Sequence, residues 1–512
     1  MPAMALAIIV FFFGIVAPLQ AANFKCSSGD VACLIAAINT ANGKSGHHTI
    51  TLEPGKYTIQ AAYEPGNGLP SISRAIRIQS TAPAHSTVIE RGPSAGLFRI
   101  FQVSLSGQLS LHGVTVSRGA SIAGGVAILN LGITTIQDSV VTNSIGEGGG
   151  AVKNVGTLNV FRSLIANNFV THEGGGIRNE GNAVVENSTI AHNESSDGGG
   201  IENTGTLVVK NSAIIFNRTD GDQAGGGIFN GGGTVEIVNS TIANNLAGNG
   251  GGGISSFGQV AITNSTIREN HAVRGQGGGI SNFGGTLQIQ NTIIAGNTFG
   301  TSSLDQALDC FGNITSLGNN LVGDITDCTI NLQTSDLTGD PSLAPMVGGG
   351  DEDPPAAAHY PVAPGSAVVD KGNPNACAPH DQVGHFRAGT CDIGAVELGG
   401  LVAIDIWPKS NAMQISLKNN KGLDVAIYSL NGFDAITVIA SSVLFGRTGV
   451  EASPAKIVLK DVNNDGLVDM LLSFNAGTMG IQCGDTQVVL TGRTNLLQPI
   501  IGFDSIKVKC EK

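Results

Sequence analysis

Charge and aromatic surface are what this sequence has little of. Only 13% of its 512 residues are charged, one is Trp and four are Tyr. Bases are scarcer than acids, 27 against 39, and the formal net charge is −12. Nucleic acid and anionic membranes are therefore poor electrostatic partners, whereas cations and neutral glycans meet no repulsion. Residues 400–512 hold ten acids and ten bases, so the whole negative excess belongs to residues 1–399. Beyond the first 22 residues, no segment approaches the ~20 consecutive apolar residues that a spanning helix requires. No Cys/His spacing matches a zinc site either.

The first 22 residues, MPAMALAIIVFFFGIVAPLQAA, join an apolar core to small residues suited to cleavage after Ala21 or Ala22. They read as a signal peptide, although the usual basic flank is missing. A secreted, extracellular or cell-surface protein with no transmembrane segment after cleavage is the expectation. Export makes disulfides admissible. The eight cysteines fall into sequence neighbours, and the expected pairs are Cys26 with Cys33, Cys310 with Cys328, Cys377 with Cys391, and Cys483 with Cys510.

Glycine is abundant, with 73 residues, and it is periodic. Gly-rich openings stand at 124–130, 148–154, 174–179, 198–203, 225–230, 251–256 and 277–282, as in GGGIRN, GGGIEN and GGGIFN, at steps of 24 to 27 residues. Each is followed by an alternating phrase and then one ending in Asn, such as TLVVKNSAIIFN and TVEIVNSTIANN. Period-two alternation turns Ile177, Leu207 and Val209 inward and Arg178, Val208 and Lys210 outward. Helical solenoids are excluded, because three consecutive glycines cost a helix roughly 1 kcal/mol each.

Three short strands per turn of this length predict an all-β fold: a right-handed parallel β-helix with rungs about 4.8 Å apart, followed by a small β-rich C-terminal domain. Stacking places like residues on like. Asn154, Asn179, Asn203, Asn230 and Asn282 form one expected ladder, and Asn168, Asn193, Asn217, Asn245, Asn270 and Asn297 another. Asn at a corner tolerates left-handed dihedrals and bonds the amide one rung away. The ladder also explains apparent glycosylation sequons such as Asn187-Ser188-Thr189.

These repeats resemble those of secreted bacterial right-handed β-helix proteins with a pectate-lyase-like fold, and the Gly-Gly-x-Ile and Asn repeats of polymorphic outer-membrane proteins. DVACLIAAINTAN (30–42) reads as an amphipathic cap over the open end of the helix, and TITLEPGKYTI (49–59) is similar to the first coil of that superfamily. Residues 367–397 resemble the segment that closes the β-helix in bacterial proteins with a variable C-terminal anchor. Val383 stands there where the pattern has Arg, and Ala388 where it has Pro. The resemblance covers roughly residues 26–398 and specifies architecture, not function. The expected organisation is a signal peptide at 1–22, a capping helix at 23–45, the β-helix at 46–345, its terminal segment at 346–399 and the β-rich domain at 400–512.

The last domain carries one chemical motif, DVNNDGLVD (461–469). Oxygens at alternate positions, with Gly466 allowing the sharp turn, suit a hard cation of calcium's size. Asp461, Asn463, Asp465 and Asp469 would supply side chains and Leu467 a carbonyl to a structural calcium ion. Position twelve of an EF-hand loop would be Leu472 instead of Glu, so the loop resembles the abbreviated Asp-rich loops of extracellular modules.

The residues before the Gly triplets suggest a ligand or cation stripe: Glu147, Glu173, Asp197, Asp220 and Asp222 at one corner of successive coils. Carboxylates on adjacent rungs repel by about 1 kcal/mol even in water, so a cation would relieve them. Pectate-lyase-like enzymes combine carboxylate-held calcium with an Arg base, and the best bases here are Lys153 and Arg178. Five residues separate Glu173 from Arg178, up to ~16 Å along an extended strand, so they share a site only if the Gly triplet folds back. Stacked carboxylates such as Glu147 and Glu173 leave glycoside hydrolysis open. His172, His192 and His271 read as scattered surface residues. Phe229, Phe257 and Phe283 lie near the Gly-rich strands, but no outward aromatic row is expected. The sequence thus favours a non-catalytic, monomeric adhesion or binding protein whose partner is an extracellular glycan or surface protein. A polysaccharide lyase or glycoside hydrolase is the alternative.

Overall fold

The computed structural model describes residues 21–221, 224–301, 306–349, 357–363, 365–384, 387, 390–398, 400–408, 414–416, 422–430, 433–449, 451–495 and 499–509. Residues 1–20 of the expected signal peptide, and Asp222, Ala388 and Cys510, lie outside them. The described chain is all-β apart from the helix Val31–Asn42 and short 3-10 turns.

Residues from Asn23 to Thr338 wind into a parallel β-helix whose described strands form sheets of 21, 12 and 9 strands. One coil shows the plan. Ile177–Asn179 and Asn182–Glu186 both belong to the 21-stranded sheet, Thr189–Ala191 to the 12-stranded sheet and Glu194–Ser195 to the 9-stranded sheet. The expected three strands per coil are thus three sheets, the first built from two short strands with a break at Glu180-Gly181. Register is kept from rung to rung: Ile177 pairs with Val152 below and Ile201 above, and Val185 with Val160 and Val209. Inward Ile, Val and Leu merge into one continuous core running from Cys26 to Val322. At the open first coil, Leu34, Ala37, Ile38 and Ala41 of the helix are buried, and Asp30 caps the helix by accepting from Cys33 N–H.

Both Asn ladders form. Asn130, Asn154, Asn179, Asn203 and Asn230 are linked amide to amide at 2.7–3.0 Å. Ser256 then replaces Asn, so the chain of amides ends there and Asn282 bonds the Asn313 carbonyl instead. Asn168, Asn193, Asn217, Asn245, Asn270 and Asn297 run unbroken at 2.9–3.0 Å and end on buried Asp309. The left-handed dihedrals are not on these ladder residues. In the second ladder they fall one position earlier, on Asn167, His192, Phe216, Asn244 and Glu269. Corner geometry and amide stacking, expected from one residue, are divided between two neighbours. A third ladder went unforeseen: the backbone N–H groups of Ser139, Ser163, Ser188, Ser212 and Ser240 each donate to the next serine hydroxyl, ending at Ser265.

After the last coil the chain turns back along the outside of the 12-stranded sheet. Ala358 and Tyr360 are buried with outward Ala191, Ile215 and Ala243, while Val362, Val368 and Ile393 are buried with Ile293, Ala295 and Leu321. Buried Arg387 secures this segment, reaching Glu397 at 2.8 Å and the carbonyls of Asp392 and Gly394. Cys26–Cys33, Cys310–Cys328 and Cys377–Cys391 are disulfides. Cys483 is disulfide-bonded as well. The C-terminal β-rich region has two four-stranded sheets and a separate apolar cluster that includes Val425, Phe445, Leu472 and Leu490. Among the described residues no helix is long and apolar enough to cross a membrane.

Candidate functional site

In each Gly-rich strand the first and third residues point inward, leaving the middle residue outside. Register stacks those middle residues in the order Leu129, Lys153, Arg178, Glu202, Phe229, Ser255, Ser281, Phe311. Three consecutive positions of this row are charged, the later ones are Phe or Ser, and Glu202 paired with Phe229 is the junction.

The charged stretch centres on Arg178. Its Nη1 lies 3.0 Å from Glu173, and its Nε lies 3.1 Å from Glu180 and 3.2 Å from Glu202. Lys153 reaches Glu180 at 2.9 Å. The extended-strand separation of Glu173 and Arg178 is therefore corrected: Gly174, at φ +73°, folds the chain back and closes the pair. Glycine is required there because φ is positive. Its neighbour Gly175 is required for space, since an added Cβ would lie 2.2 Å from the Gly199 carbonyl. Glu202 is 5% exposed. Burial pushes its carboxyl up to about 7, against the pull of Arg178 and with the push of Glu173, Glu180 and Asp197. Burial also raises Asp197, opposed by the Ala224 N–H and assisted by Glu173.

The five-carboxylate stripe is not continuous. Glu173 and Asp197 interact, and Glu147 is exposed on its turn. Asp220 falls out of line, because Gly198 N–H bonds the Ala224 carbonyl and so sets Asp197 level with residue 224. The 27-residue step from Gly198 to Gly225 adds residues between Asp220 and Ala224, so Asp220, whose N–H bonds the Ser195 carbonyl, is level with Ser196, and its carboxylate lies 3.9 Å from Arg218.

The aromatic stretch overturns another expectation. Phe229, Phe257, Phe283 and Phe311 form a continuous outward row, with successive ring centroids 5.9, 5.4 and 5.7 Å apart. Phe257 and Phe283 are 49% and 45% exposed. The row was hidden because Phe229 and Phe311 hold the middle strand position while Phe257 and Phe283 lie two residues further on. Small Ser255, Ser281, Gly231 and Gly250 leave the room: Cβ atoms on the two glycines would stand 3.3 and 3.1 Å from the rings of Phe229 and Phe283.

His192 and His271 stay outside this site, while His172 adjoins Glu173 in the chain. His192 stacks on Phe216 at 5.1 Å, and His271 bonds Thr298.

In the C-terminal loop, Asp461 accepts from the N–H groups of Asn464 and Gly466, and Asp465 from Leu467 N–H and Asn463 Nδ2. Asp469 is buried, and both its oxygens are taken by the backbone N–H groups of Ser429 and Val462. As placed, the carboxylates do not converge: no three His, Cys, Asp or Glu among the described residues are grouped to hold a metal ion. Asp461, Asn463, Asp465 and the Leu467 carbonyl remain on an exposed turn.

No protein-family model matches this chain, and no curated protein matches it. Among solved structures it is similar to the A-module of a mannuronan C-5 epimerase from Azotobacter vinelandii, at 14% identity and a TM-score of 0.36, over 62% of this chain and 97% of that one. The parallel β-helix itself is established by the rung-to-rung strand register of the structure.

Proposed function

We propose that this chain is an extracellular or cell-surface binding protein whose outer sheet recognises a glycan. The carrying observation is the four-ring Phe row that runs on into the Arg178–Glu202 cluster along one face. Exposed aromatic surface packs against the apolar C–H groups of sugar rings, and a planar guanidinium flanked by carboxylates offers directed donors and acceptors to hydroxyls. The rings follow the helix axis, so the surface suits a chain. The net charge of −12 makes that chain neutral instead of polyanionic. Binding of neutral polysaccharides should be measured against polyuronates by calorimetry. Replacing Phe257 and Phe283 together by Ala should weaken the neutral ligand by about tenfold or more. Unchanged affinity in that variant would remove the aromatic row from the reading.

One observation favours a second reading, a polysaccharide lyase or hydrolase. Glu202 combines burial, a pKa near neutrality and a cationic neighbour beside the aromatic row, and such a group can exchange protons at working pH. Ultraviolet-absorbing products or new reducing ends, lost in Glu202→Gln, would establish it. Secretion is part of the proposal, resting on the apolar leader and the disulfides, and N-terminal sequencing of the exported protein tests it. We also propose that the 461–469 turn takes calcium through Asp461, Asn463, Asp465 and the Leu467 carbonyl.

A further inference from the structure

The outward face of the 12-stranded sheet forms a trough along the helix, and its two stretches differ. Over the later coils the chain's own returning segment lies in it. The Tyr360 hydroxyl donates to Glu269 at 2.6 Å and accepts from Asn244 Nδ2 at 3.1 Å. Asn244 and Glu269 hold one repeated position, the left-handed residue that follows the three-residue strands of this sheet. In earlier coils the same position belongs to Arg118, Asn143 and Asn167, at φ 59°, 55° and 57°. There the trough is an open groove of about 380 Å³ with Val88, Val140 and Leu164 in its lining. Leu164 also packs against the cluster that holds Tyr360, so the open stretch continues the filled one.

Its charge is unlike that of the surrounding surface. Lys56, His85 and Arg118 line it, and Glu90 is its one carboxylate. Glu90 is nearly buried, accepts from the Thr58 hydroxyl and lies 3.9 Å from Arg118. Arg118, half exposed, keeps donors for another partner.

We propose that this groove docks an extended acidic peptide of a partner protein. The filled stretch shows what the trough accepts: an extended segment, paired antiparallel along its outer edge with residues 343–347, whose Ala358 and Tyr360 enter it and whose polar tip is gripped by the left-handed wall. In the open stretch the wall carries Arg118, which calls for a carboxylate where Tyr360 supplies a hydroxyl. The site is separate from the Phe row and does not depend on the glycan reading.

The test is fluorescence anisotropy of the full chain with a fluorescein-labelled octapeptide alternating valine and glutamate. Saturable, salt-sensitive binding is expected, together with none of a matching valine–lysine peptide. Arg118→Asn and Lys56→Gln should each weaken it by about threefold to tenfold, and Phe257→Ala should not. Arg118→Asn installs the residue that the next two coils already carry at this φ, so the fold is preserved. The proposal is overturned by equal binding of the lysine peptide, by affinity indifferent to both variants, or by no saturation at millimolar protein. It is also overturned if an oligouronate, and not the peptide, shows the Arg118 and Lys56 dependence.

Discussion

The β-helix and the C-terminal β-rich region are both all-β, but they hold themselves together in different ways. Inside the helix and at its corners many side chains meet their own kind one rung away, so buried amides, serine hydroxyls and Ile side chains form columns. In residues 400–509 the strands are largely antiparallel, and polar anchors are single: Asp469 clamps Ser429 and Val462, and Tyr428 donates to Asp405. A fault in a column strands buried polar groups on both neighbouring coils, whereas loss of a clamp is confined to the loops it joins. Stability in the helix is close to a sum of rungs and interfaces between rungs. The sole tryptophan, Trp407, packs against the C-terminal cluster. Its fluorescence therefore reports that region, while far-ultraviolet circular dichroism is dominated by the helix.

The hardest test of the comparison is Asn217→Ala in the middle of the unbroken ladder. Asn217 is fully buried, accepts from the side chain and backbone of Asn193, and donates to Asn245 and to the Ile190 carbonyl. Removing it leaves several buried groups without partners, at about 1–3 kcal/mol each, so the helix transition should lose about 3–5 kcal/mol. The Trp407 transition should not move. A shift of both together would mean that the two regions unfold as one unit.

That ladder was legible in the sequence because identical residues recur at nearly fixed offsets, which is what stacking in register demands. The site was only partly legible for the same reason. Lys153 and Arg178 stood out as bases, but their meeting with Glu173 depends on the positive φ of Gly174, which a distance measured along an extended strand ignores. The Phe row escaped because its members alternate between two offsets and are united only by the room that Ser255, Ser281, Gly231 and Gly250 leave. Alignment of Asp220 with Asp197 failed for the opposite reason, since spacing from the triplet was read across a coil with an insertion. The covering of the 12-stranded sheet had a signal that was not used: Ala191, Ile215 and Ala243 alternate outward and are apolar, so something had to lie on them.

The two regions also differ in their response to pH. Glu202 has a folded pKa of about 7 against an ordinary value of 4.5. A folded pKa above the unfolded one means that the native state holds the extra proton. The resulting stability is complete below about 4.5 and is lost as pH rises through about 7. Glu397, raised by burial and by Asp392, adds to the same slope. Glu202→Gln should therefore match the parent near pH 4 and exceed it at pH 8 by about 1–3 kcal/mol in the helix transition. Parallel pH profiles of the two proteins would show that Arg178 keeps Glu202 ionised throughout. No such slope is expected in the transition reported by Trp407.

The smallest effect concerns the C-terminal turn, where the comparison predicts a purely local response. Its carboxylates already accept backbone N–H groups, so an ion adds to a turn that is closed without it. Each oxygen keeps a further lone pair, and removing like-charge repulsion between Asp461 and Asp465 favours the bound form. Calcium at ten times its dissociation constant stabilises the folded state by about 1.4 kcal/mol, and affinities of abbreviated extracellular sites lie at about 0.1–1 mM. Millimolar calcium should thus raise the Trp407 transition by a few degrees and leave the circular dichroism transition of the helix in place. Asp465→Ala should abolish the rise, because it removes a donor that no backbone group replaces. It should cost little without calcium, since Asp465 is exposed and bonds only within the turn. A Trp407 transition indifferent to both calcium and chelator would leave the turn as a hydrogen-bonded acidic loop. A rise that survives Asp465→Ala would move the ion to carboxylates elsewhere in the chain.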